Sequence, residues 1–118
     1  MGLDIFAYKI KLNKAEDAYF RKVNFIYKFF ENQMQENQTC VVSKYEIEDL
    51  IDCCKLVLEN KGDEEYVKAH LPTTSGFFFG STEYDEDYYK SVEDCLEQMT
   101  NLYNNMDYND LVYWVFSW

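Results

Sequence analysis

Proline and histidine each occur once in the 118 residues, and glycine only four times. So few breakers exclude a Pro-rich or Gly-rich linker and any low-complexity fibre. The single histidine, His70, rules out a multi-histidine metal centre and leaves one position for any Ser-His or Cys-His mechanism. Basic residues are also short: 11 Lys and Arg against 22 Asp and Glu, a net charge of −11. A field of that sign disfavours nucleic-acid phosphates and anionic membranes and admits a basic protein partner. No run approaches the ~20 apolar residues that span a bilayer. The first ten residues carry Asp4 and lack a basic start followed by an apolar stretch, so an export leader is not expected and a cytoplasmic setting is. Four cysteines occur, Cys40, Cys53, Cys54 and Cys95. They form no CxxC and lack zinc-ligand spacing, which predicts reduced thiols.

What the chain does have is apolar and aromatic mass. Apolar residues make up 47%, inside the globular range, and aromatic residues 19%, so a folded core filled by a few large rings is expected. The length fits a single domain, 1–118. Charge divides unevenly: residues 1–45 carry seven basic and five acidic side chains, and residues 46–118 four and seventeen. That imbalance invites internal ion pairs between the halves.

Met1 to Leu12 alternates loosely and predicts a first strand. Lys14 to Met34 places Tyr19, Val23, Ile26, Tyr27, Phe30 and Met34 at helical spacing and predicts a helix. Thr39 to Val42 is a short apolar run that suits a strand. Ser43 and Glu46 fit a capping box for a second helix carrying Ile47, Leu50, Ile51, Cys54, Val57 and Leu58, closed near Gly62. Asp63 to His70 suits a short helix stopped before Pro72. A third long helix, capped by Ser81 or Thr82, carries Tyr84, Tyr88, Val92, Cys95, Leu96, Met99 and Tyr103. Leu111 to Trp118 is β-branched and aromatic on both faces, predicting a strand buried from both sides. The expected fold is α+β: a small antiparallel sheet of the N- and C-terminal strands, with Thr39 to Val42 as a third, packed with three main helices.

No catalytic constellation stands out. Gly76 to Thr82 borders a helix start and resembles a phosphate cradle, but it has no lysine, and Glu83, Asp85, Glu86 and Asp87 follow at once and repel anions. The same acidic run lacks EF-hand spacing, so no metal and no cofactor is expected. Arg21, Lys22 and Asn24 form a polar cluster, best read as pairing with the protein's own acids.

Three segments, MGLDIFAY at the start, RKVNFIYKFF at 21–30 and GFFFGSTEYDEDYY at 76–89, resemble a family of small uncharacterised proteins of phages and prophage-like regions. The resemblance implies a bacterial or phage cytoplasmic setting. It marks Arg21, Lys22, Asn24, Gly76, Phe78, Gly80, Ser81, Tyr84, Asp85, Tyr88 and Tyr89 as motif positions. The family often has histidine where Tyr27 stands here.

The leading expectation is a non-enzymatic acidic protein-binding module of phage or mobile-element origin, able to occupy the basic cleft of a host defence or nucleic-acid-binding protein. The alternative is a small-ligand-binding protein or enzyme with a polar pocket around Arg21, Tyr84, Asp85 and Tyr89. A homodimer through an uncovered edge of Leu111 to Trp118 is a further expectation.

Overall fold

The computed structural model describes residues 2–9, 18–76 and 79–118. The chain is α+β. Its elements run β1 (Asp4–Lys9), β2 (Ala18–Arg21), α1 (Asn24–Phe30) with a 3-10 turn at Glu31–Gln33, β3 (Thr39–Ser43), α2 (Lys44–Glu59), α3 (Glu64–His70), α4 (Glu86–Asn104) and β4 (Leu111–Ser117). The strands form one antiparallel sheet in the order β2-β1-β4-β3.

Among the described residues the sheet has four strands rather than two or three. The additional one comes from the expected first helix: Ala18–Arg21 is a strand whose burial alternates strictly, and the helix begins only at Asn24. Lys22 breaks the two apart with a left-handed backbone, φ 56°. Residues 1, 10–12 and 14–17 of the expected first strand and helix lie outside the described residues.

The alternation of period two sets one face of the sheet inward. Leu3, Ile5, Ala7, Phe20, Cys40, Val42, Val112, Trp114 and Phe116 are buried beneath the helices. Trp114 sits at the centre, in contact with Phe30 at 5.0 Å between ring centroids and stacked at 6.1 Å on Phe116. Burying such rings is the main favourable contribution to folding, roughly 2–3 kcal/mol each before conformational entropy is set against it. β4 is not buried on both sides, as its composition predicts: Leu111 is exposed and Tyr113 and Val115 are only half-buried. The opposite face of the sheet also carries Phe6 and Tyr19, whose rings meet at 5.2 Å. β4 also lies between β1 and β3, so it offers no free edge through which a second copy could pair.

The helices form as the local signals dictate. At α2 the Ser43 hydroxyl accepts from the Glu46 N–H, and the Glu46 carboxylate accepts from the Ser43 N–H at 2.8 Å, a complete capping box. Gly62 follows with φ 91°, the left-handed turn that glycine adopts without strain. Asp63 caps α3. α4 starts later than expected: neither Ser81 nor Thr82 is its cap, because the helix begins only at Glu86 and Asp85 accepts from the Tyr88 N–H at 3.0 Å. Antiparallel α2 and α4 pack along each other. Cys54 and Cys95 meet between them, fully buried. Burial, then the hydrogen bond to Cys54, holds the Cys95 thiol well above its ordinary pKa. All four cysteines are free thiols. No helix of the described residues is long and apolar enough to cross a membrane.

Candidate functional site

The turn from β2 into α1 and the approach to α4 leave a cleft of about 210 Å³ between them. One wall is Arg21 and Lys22. The facing wall is Ser81, Glu83, Asp85 and Asp87, with Ser91 one turn further along α4. Val23, Phe25 and Tyr88 line it too and are themselves buried. The cleft therefore has an apolar floor and a rim of both charges.

Two buried polar groups build it. Asn24 is only 3% exposed. Its Nδ2 donates to the Phe79 and Ser81 carbonyls at 3.1 and 2.9 Å, and its Oδ1 accepts from the Thr74 N–H at 3.2 Å. One side chain thereby ties Thr74, Phe79 and Ser81 to the start of α1. The Tyr88 hydroxyl donates to the Leu71 carbonyl at 2.7 Å, and burial pushes its pKa far above the ordinary tyrosine value. Neither group is available to a ligand. Both fix the walls.

Lys22 is held by steric fit. A Cβ added at Gly80 would fall 3.1 Å from Lys22 Cβ, and one added at Gly2 would fall 2.9 Å from Lys22 Cε. The lysine stem thus passes between two glycines, and its ammonium makes no ion pair with a described residue. Beside it Arg21 Nη1 meets Asp4 Oδ1 at 3.4 Å, and the same oxygen accepts from the Tyr19 hydroxyl at 2.7 Å. The hydrogen bond to Asp4, ahead of desolvation, raises the Tyr19 pKa.

The structure brings Arg21, Lys22, Asn24, Ser81, Asp85 and Tyr88 to this one cleft. Tyr84 and Tyr89 do not join them, which corrects the expected pocket. The Tyr84 hydroxyl accepts from the Thr73 N–H at 3.0 Å, and the Tyr89 hydroxyl accepts from the Gly62 N–H at 3.2 Å. Around α4 the cleft takes Asp87, Tyr88 and Ser91, and Tyr89 points a further ~100° round from Tyr88, away from them. Phe78 lies outside the described residues. Glu83, Asp87 and Ser91 line the cleft without having been singled out as binding residues; the four-residue step from Asp87 to Ser91 is the one sequence signal for them.

The ion pairs seen among the described residues do not join the basic half to the acidic one. Arg21–Asp4 and Lys28–Glu31 join groups of the first half, Lys61–Glu93 and Lys68–Glu64 groups of the second. The chain folds its acids outward instead. The exposed faces of α2 and α4 carry nine carboxylates, Glu48, Asp49, Asp52, Glu59, Glu86, Asp87, Glu93, Asp94 and Glu97, against Lys55 and Lys90. Among the described residues no three His, Cys, Asp or Glu side chains are grouped to hold a metal ion. His70 stacks on Tyr66 at 4.1 Å, and its Nδ1 lies 2.9 Å from the Tyr66 carbonyl, an arrangement internal to α3.

The fold and cleft define a small α+β protein with a four-stranded antiparallel sheet helix-covered on one face. No protein-family model, curated protein or solved structure matches the chain.

Proposed function

We propose that this protein is a non-enzymatic acidic binding module of phage or mobile-element origin. It acts in the cytoplasm by laying its α2–α4 surface into the basic cleft of a protein partner, of the kind that defends a host or binds nucleic acid. The observation that carries this reading is the concentration of exposed carboxylates on two helices packed side by side. Spaced anionic groups on a rigid surface offer such a cleft what phosphates would offer it. The resemblance of the three segments to phage-linked proteins supports the origin.

The test is capture of partners from a bacterial host lysate at about 50 and about 200 mM salt, the range over which screening weakens exposed charge pairs. A basic protein retained at low salt and released at high salt is the expected result. Asp52→Asn, Glu59→Gln, Glu93→Gln and Glu97→Gln together should abolish its capture while leaving the fold intact. Capture that ignores both salt and these substitutions overturns the proposal.

A further inference from the structure

We propose that the cleft between Lys22 and Asp87 binds a small zwitterion, an α-amino acid with an apolar side chain. Asp87 belongs to both this cleft and the acidic surface, but the proposal does not rest on that surface's reading and would hold if that reading failed.

The argument starts from charges kept apart. Lys22 lines one wall of the cleft, and Glu83 and Asp87 line the other. Lys22, Glu83 and Asp87 are all exposed, and among the described residues none of them forms an ion pair. The Lys22 stem is confined between Gly2 and Gly80, its backbone is held left-handed, and Asn24 pins the facing loop from behind. Positive φ is unfavourable for a non-glycine residue, so the surrounding contacts hold the Lys22 backbone in place. The cleft is a preorganised slot with a cation at one end and anions at the other.

The occupant follows from that polarity. A plain anion meets Glu83 and Asp87, and a plain cation meets Lys22 and Arg21. A molecule carrying both charges satisfies both walls: its carboxylate faces Lys22 and its ammonium faces Asp87, with the Ser81 and Ser91 hydroxyls within the same lining. The buried Val23, Phe25 and Tyr88 take an apolar side chain. A volume of about 210 Å³ suits one amino acid and is too small for a drug-sized ligand.

The full chain is titrated with L-leucine, N-acetyl-L-leucine and L-leucinamide and followed by amide resonances. Leucine should bind with a Kd of about 1 mM or tighter and shift Ser81, Asp87 and Ser91. Each blocked compound should bind about tenfold more weakly, since each loses one charge-assisted contact. Lys22→Met and Asp87→Asn should each weaken leucine similarly, with Ser91→Ala as a milder variant should either fail to fold. Absence of shifts at these residues, or equal binding of all three compounds, overturns the proposal. The neutralised α2–α4 variant keeps all cleft residues and should still bind leucine, so the two proposals can fail separately.

Discussion

The side-chain amide of Gln98 stands in for a neighbouring strand at Tyr19. Its Nε2 donates to the Tyr19 carbonyl at 2.9 Å, and its Oε1 accepts from the Tyr19 N–H at 3.0 Å. β2 is an edge of the sheet, and an unpaired edge is a template for another chain. The clamp from α4 occupies it. Gln98→Leu should lower stability by about 1–2 kcal/mol, two modest hydrogen bonds, and should raise self-association. Chemical denaturation and light scattering across micromolar concentrations check both. A variant as stable and as monomeric as the parent would show that the clamp has no such role.

Asn24 should be among the most sensitive polar positions. Asn24→Ala leaves the Thr74 N–H and the Phe79 and Ser81 carbonyls without their partner. Losing a buried partner costs about 1–3 kcal/mol, so a loss of about 3 kcal/mol is expected. Hydrogen exchange should speed up across 73–81 while α2 stays protected.

Gly80→Ala reports on the placement of Lys22. Gly80 has φ 89°, and its new methyl would lie 3.1 Å from Lys22 Cβ. Both effects disfavour alanine, and a loss of about 1–2 kcal/mol is expected. Thermal unfolding measures it, and leucine binding should weaken in parallel.

Stability should fall on the alkaline side. Burial, then the Glu46 charge, pushes the Cys40 thiol from 9.0 up to about 12, and burial raises Cys95 and Tyr88 as well. Each group keeps its proton in the folded chain after the unfolded chain has lost it. Their contribution is therefore complete below about pH 9 and is lost as pH rises, by at most about 1.4 kcal/mol per pH unit per group. Denaturation between pH 8 and 11 should show this decline, with a shallower slope in Cys40→Ala. An identical slope would remove Cys40 as a contributor.

Thiol labelling should separate the cysteines. Cys53 is half-buried and the other three are buried. Burial also raises the Cys53 pKa, so its labelling should be slow but first. Cys40, Cys54 and Cys95 should react only at the rate of unfolding. Rapid native labelling of Cys95 would contradict the packing of α2 on α4.

Local signals in the sequence were the readable ones. Ser43 and Glu46 lie three residues apart and satisfy each other, so the start of α2 needs no tertiary information. The stop before Pro72 is equally local. Ala18–Arg21 was hidden because Tyr19, Val23, Ile26 and Phe30 also satisfy a helical spacing. What decides for a strand is pairing with Asp4–Ala7 and the Gln98 clamp 79 positions away, and neither leaves a mark within the segment. At the cleft, Arg21, Lys22, Ser81 and Asp85 stood out by type and motif. The grouping that excludes Tyr84 and Tyr89 and admits Glu83, Asp87 and Ser91 depends on where α4 begins. Asp85 sets that start, four residues beyond Ser81.

The order β2-β1-β4-β3 also governs when the chain can fold during synthesis. β1 and β3 have no common neighbour until residues 111–117 leave the ribosome. Until then Ile5, Ala7, Cys40 and Val42 have no Trp114 beside them. The sheet therefore cannot close before the C-terminal strand emerges, and the apolar faces of β1 and β3 stay uncovered at their shared seam until it does.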